Sequence, residues 1–94
     1  MTSNLDIKHD GNRFFVEVEG HTVSVDYEMN GNVMDITHTY SPPELRGRGL
    51  AEEVTKAAFE YAKEHELKII PSCSYTRLTF IPKHGEYASL VAEE

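Results

Sequence analysis

Ser41-Pro42-Pro43-Glu44-Leu45-Arg46-Gly47-Arg48-Gly49-Leu50-Ala51 is the stretch from which the rest of the chain can be read. Neither proline can donate a ladder hydrogen bond, so the strand before them must end. The residues after Gly49, beginning Leu50-Ala51-Glu52-Glu53, favour a helix. The first turn of a helix carries backbone N–H groups without intrahelical acceptors, and the helix dipole makes that end positive. Gly47 and Gly49 let an anion approach the backbone closely, having no Cβ to keep it away. A phosphate or diphosphate is the expected guest, held by the amides from Leu45 through Gly49 and Leu50 to Ala51. At least one of Arg46 and Arg48 is expected to reach a phosphate oxygen, the bland reading being that both are simply solvated.

That cationic spot stands out against its background. The chain has 94 residues, a formal net charge of −7 and a pI near 5.1. Such a length predicts a single domain spanning 1–94. Its modest core would favour a monomer or a weak homodimer. The acidic balance argues against nucleic acid as a partner, since phosphate neutralisation needs a basic face. No apolar run approaches the ~18 residues of a membrane span, and the N-terminal residues lack a signal-peptide core, so no membrane partner is expected. Cys73 is the single cysteine, which fits a reducing, cytoplasmic setting. Histidines at 9, 21, 38, 65 and 84 have no metal-ligand spacing, so no metal is expected.

Working outward, Ile7 to Asp10 reads as a short edge strand and Asp10-Gly11-Asn12 as a turn. From Arg13 to Glu19, Phe14, Val16 and Val18 alternate with Phe15, Glu17 and Glu19, the period of a half-buried strand. Gly20-His21 is read as the next turn, then Val23, Val25 and Tyr27 alternate with polar neighbours. Asn30-Gly31 is the strongest hairpin signal. Over Val33 to Tyr40, strict alternation puts Met34, Ile36, His38 and Tyr40 on one face. Leu50 to His65 is the helix, with Leu50, Val54, Ala57, Ala58, Tyr61 and His65 in one stripe. Phe59 falls outside that stripe, under a neighbouring loop or against a partner chain. Lys68 to Pro71 is a fifth strand, joined through the helix by a crossover and therefore parallel to the fourth. Ser74 to Ile81 reads as a second short helix stopped by Pro82, and 87–91 as a docked turn or helix. The fold class is α+β: an antiparallel four-strand meander, then a helix crossover to a parallel fifth strand.

Two glycine motifs do not fit. A P-loop needs Gly-Lys-Ser/Thr, which is absent, and the third glycine of a dinucleotide fingerprint is missing. What remains, Arg46-x-x-Gly49-x-Ala51 between a strand and a helix, resembles the diphosphate-binding signature of the GNAT acetyltransferase superfamily. Together with Thr37-His38-Thr39-Tyr40 and Pro71-Ser72-Cys73-Ser74-Tyr75, the chain is similar over nearly its whole length to a small single-domain branch of that superfamily.

The resemblance implies a minimal GNAT-like fold, acetyl-CoA as cofactor and an acetyl transfer to an acceptor, expected to be a small-molecule or protein amine. It places Cys73 near the thioester of the bound cofactor, as a candidate catalytic residue. Bland readings stand beside these: a lone cysteine is often a small buried hydrophobe, and a histidine on an apolar face is often a core residue. Since the fourth strand neighbours the fifth, His38 is a candidate base or orienter for Cys73. Tyr40 and Tyr75 are packing residues or contacts for the pantetheine arm. Direct attack by a bound amine and relay through an acetyl-cysteine are both open. So are a non-catalytic acyl-CoA-binding or sensing module and an interaction domain for another phosphate ligand.

Overall fold

A computed structural model of the chain describes residues 7–45 and 49–92. Its sheet has the strand order β1-β2-β3-β4-β5, with β1 Lys8–Asp10, β2 Arg13–Val18, β3 His21–Asn30, β4 Val33–Tyr40 and β5 Lys68–Pro71. The first four strands form an antiparallel meander, and β5 runs parallel to β4 after the helix α1, Leu50–Glu64. The α+β architecture and the crossover read from the sequence are both present.

The two later hairpin turns each sit one residue away from the positions read in the sequence. Val18 pairs with His21 and Asn30 with Val33, so the loops are Glu19-Gly20 and Gly31-Asn32. Strand twist favours two-residue loops that open with positive φ, and Gly31 at φ 64° supplies it cheaply.

One irregularity changes what the sheet presents. Tyr27 pairs with Ile36 but Asp26 pairs with His38, leaving Thr37 as an extra residue on β4. Such a bulge shifts every later side chain to the other face. Val25 and Tyr27 are buried on the inner face, and cross-strand partners share a face. Thr39, opposite Val25, therefore joins Met34 and Ile36 inside, while His38 and Tyr40 stand outside, opposite Asp26 and Ser24. The expected shared face of Met34, Ile36, His38 and Tyr40 is thus broken at Thr37. Tyr40 is 47% exposed and His38 is exposed as well.

Helix α1 lies on the inner face and is buried along Leu50, Val54, Ala58 and Ala62. A second buried line runs through Thr55 and Phe59, because the C-terminal segment covers that side. Phe59 is fully buried against the rings of Phe80 and Tyr87, with centroids 4.9 and 5.3 Å away. The covering element is therefore the chain's own later segment. The helix closes in a Schellman motif: Leu67 N–H donates to Ala62 C=O at 2.7 Å and Glu66 N–H to Lys63 C=O at 3.3 Å.

Residues 74–83 form a second helical segment, with a π turn over Thr76–Phe80 followed by the α-helical turn Ile81–Lys83. Pro82 lies inside it and does not stop it. The segment breaks at His84, whose φ is −122°. A 3-10 helix, Gly85–Leu90, then docks Tyr87 into the core, as expected for that region. Val91 bridges to Ile69, and Ala92 N–H donates to Ile69 C=O at 2.7 Å.

Candidate functional site

Two helix starts and the end of β4 enclose a groove of about 530 Å³. Thr39, Leu45, Gly49 and Ala51 form one side, and Tyr75, Thr79 and Lys83 the other. On the α1 side, Gly49 takes the position before the helix at φ 76° and ψ 12°, and no side chain among the described residues caps that end. The first ladder bond runs from Glu53 N–H to Gly49 C=O at 3.1 Å. The amides of Leu50, Ala51 and Glu52 therefore lack intrahelical acceptors and lie beside the groove, the arrangement that suits an anion.

Glutamate at the third helical position often reaches back to its own helix start. Glu52 instead accepts from Lys83 Nζ at 3.1 Å and pairs with His84 Nε2 at 2.5 Å. The His84 bond leads in lowering the Glu52 carboxyl below its usual range; partial burial opposes it and Lys83 adds to it. This diversion keeps a carboxylate off the amides at the helix mouth.

Cys73 sits where β5 hands over to the second helical segment. Its N–H donates to Ile36 C=O at 2.9 Å, beside the bulge. Its C=O accepts from Arg77 N–H at 3.1 Å, which makes Cys73 the residue capping that segment. The thiol donates to Thr39 Oγ1 at 3.3 Å. Burial, the largest influence, pushes the thiol up. The Thr39 hydroxyl, the amides of Thr76 and Tyr75 and the Thr76 hydroxyl favour the ionised sulfur and together outweigh it, so the thiol lies below its ordinary value. Tyr75 is shifted the opposite way, by burial first and then by the charges of Glu52 and Cys73. Its phenol stays protonated beside both groups.

The groove brings together Leu45, Gly49, Leu50, Ala51 and Tyr75 from the residues singled out in the sequence. Cys73 adjoins it through Thr39. Arg46, Gly47 and Arg48 lie outside the described residues. Tyr40 and His38 face the other way, for the reason given by the Thr37 bulge, so Thr39 takes the place beside Cys73 that was expected for His38. Thr39, Glu52, Thr79 and Lys83 were not anticipated. Of these, Glu52 carried a usable signal, being an acid at the third position of a helix whose capping residue is glycine.

A meander, a parallel crossover and an uncapped helix mouth opening on the β4–β5 junction define a small α+β domain of the acetyltransferase type. The chain belongs to the GCN5-related N-acetyltransferase family, whose model matches residues 13–90. It is 37% identical over 79 residues to Protein NATD1 of Xenopus tropicalis, covering 79% of this chain and 72% of that one. It is 38% identical over 74 residues to the human Protein NATD1, covering 73% and 66%. An NMR solution structure of a GCN5-like putative N-acetyltransferase from Staphylococcus aureus superposes with a TM-score of 0.76 at 32% identity, covering 99% of this chain and 93% of that one.

Proposed function

We propose that this protein binds acetyl-CoA and transfers its acetyl group to an amine. The observation that carries the reading is the α1 start, where three amides without intrahelical acceptors border the groove and no described side chain competes for them. A diphosphate bound there accepts several charge-assisted hydrogen bonds, each worth ~1.5–3 kcal/mol. β5 ends its pairing with β4 at Ile36, so Thr37 to Tyr40 continue past the last β4–β5 pair. An extended arm bearing amides can run along that edge toward Cys73.

At the thioester, two routes use the same geometry. A bound amine attacks the carbonyl directly, or Cys73 takes the acetyl group first and passes it on. In either route the Tyr75 phenol, which lines the groove, gives a proton to the departing thiolate. Intact-mass measurement after incubation with acetyl-CoA separates the two: an acetyl adduct on the wild type, absent in Cys73→Ser, supports the relay. Turnover retained in Cys73→Ser without any adduct on the wild type supports direct attack. Thermal shift with CoA, ATP and free phosphate tests the cofactor itself, and equal shifts from all three would sink the CoA reading.

A second reading, a non-catalytic acyl-CoA-binding module, is favoured by one feature. Among the described residues the sheet stops at β5, with a single bridge from Val91 beyond it. Tight CoA binding with no transfer to any of a panel of amines would select this reading.

A further inference from the structure

Buried side-chain oxygens in this protein find partners, with one exception among the described residues. Thr55, fully buried in α1, donates to Ala51 C=O at 2.8 Å. Thr76, equally buried, has a hydroxyl with no hydrogen-bond partner. An orphaned hydroxyl of this kind costs ~1–3 kcal/mol, so its presence calls for an explanation. Thr76 is the third residue of the helical segment that Cys73 caps, the position whose backbone N–H faces the capping side chain. From the other side, Thr39 on β4 already exchanges a hydrogen bond with the sulfur.

We propose that Thr39 and Thr76 are positioning residues that hold the sulfur of Cys73 as an anion, with the Thr76 hydroxyl awaiting that charge. A hydroxyl can donate or accept, so Thr39 receives a bond from the thiol and returns one to the thiolate. Thr76 has nothing to accept its proton until charge develops on the sulfur. Charge-assisted bonds are roughly twice as strong as neutral ones, which offsets the cost of leaving the hydroxyl idle in the free protein. The groups that act on the sulfur come from β4 through Thr39 and from the helical segment through Tyr75 and Thr76; Tyr75 is the titratable one among them.

The proposal rests on the reading of Cys73 as an acyl acceptor, and gives that step a ready nucleophile. Cys73 first releases its proton to water. The thiolate attacks the acyl carbonyl carbon, a new carbon–sulfur bond forms, and the bond from that carbon to the carrier sulfur breaks. The carrier leaves as a thiolate and takes one proton from water, directly or through Tyr75, which water then reprotonates, so the sum is acyl-Cys73 plus carrier thiol.

The test is the pH profile of iodoacetamide alkylation of the full chain, followed by intact mass, with no acyl donor present. In Thr39→Val and in Thr76→Val the midpoint should move to higher pH, and alkylation at neutral pH should slow by about threefold or more, half a unit of thiol pKa. The double variant should move further, and Thr39→Ser and Thr76→Ser should restore the wild-type profile. Thr39 is only half-buried, so its variants decide the matter if Thr76→Val does not fold. Valine variants with the wild-type midpoint would overturn the proposal, even if acetyl-CoA labels Cys73. A threonine-dependent midpoint in a protein that never takes an acetyl adduct would leave these roles standing and sink the relay instead.

Discussion

Phe59 of α1 and Phe80 of the second helical segment lie with ring centroids 4.9 Å apart and planes at 35°, both almost wholly buried. This contact ties the helix whose start borders the groove to the segment that presents Tyr75 and Thr79 to it. Truncating such a ring removes its transfer energy and leaves a cavity, so Phe59→Ala should cost ~3–5 kcal/mol. Against a total stability of ~5–15 kcal/mol, that is a large share. Urea denaturation measures it; a loss under about 1 kcal/mol would mean the segment is not docked as described.

Glu52 gives the fold an acid-sensitive joint. Its carboxyl is lowered chiefly by the His84 hydrogen bond, with partial burial opposing and Lys83 assisting. A lowered folded-state pKa contributes stability above the unfolded value of about 4.3, and that contribution disappears as pH falls through the folded value. An amide at this position cannot titrate. The wild type should therefore exceed Glu52→Gln in urea midpoint above about pH 4.3, and the gap should shrink as the pH falls below that value. A gap independent of pH would contradict the pairing.

Gly49 should respond twice. Among the described residues a Cβ built there meets nothing within 4 Å, yet the φ of 76° makes Gly49→Ala costly. The loss should be ~1–2 kcal/mol in the free protein. For the wild type, CoA at ~100 times its dissociation constant should add about 2.7 kcal/mol. The methyl group would stand where a phosphate must come close, so this increment should shrink in Gly49→Ala. An undiminished increment would place the anion elsewhere.

His38 supplies a control on the β4 register. It stands opposite Asp26 on the outer face, whereas Thr39 bonds to Cys73. His38→Ala should alkylate at Cys73 with the wild-type pH profile. A midpoint shifted as far as in Thr39→Val would mean that the Thr37 bulge is misplaced.

The difference between those two neighbours also marks how far the sequence could be read. Alternation in 13–19 and 22–28 is a side-chain property, and it located β2 and β3 with Phe14, Val16, Val23, Val25 and Tyr27 inside, though not the buried Ser24. The start of α1 after the glycine loop was legible for a similar reason, since helix starts are set locally. The bulge is different. Nothing in Thr37-His38-Thr39 interrupts the pattern, because the extra residue belongs to the pairing with β3 and not to β4 alone. Phe59 lay beyond reach for an allied reason: a helix wheel assumes one buried side, and here the later segment supplies a second. Lys83 was hidden behind Pro82, which reads as a stop but is accommodated in the helical segment.

That accommodation has a consequence for the chain's tolerance of length change. In the π turn, Ile81 N–H donates to Thr76 C=O, five residues back, so the turn holds one residue more than an α-helix would need. Deleting a single residue between Arg77 and Thr79 could restore ordinary winding without breaking the helix. Because the surplus residue is the one removed, Tyr75 and Phe80 would keep their present sides, whereas adding a residue would turn the upstream half by about 100° and swing Tyr75 away from the groove. An insertion and a deletion here are therefore unequal events: the shortened version would keep both the fold and the aim of the phenol, and the lengthened one would lose the aim.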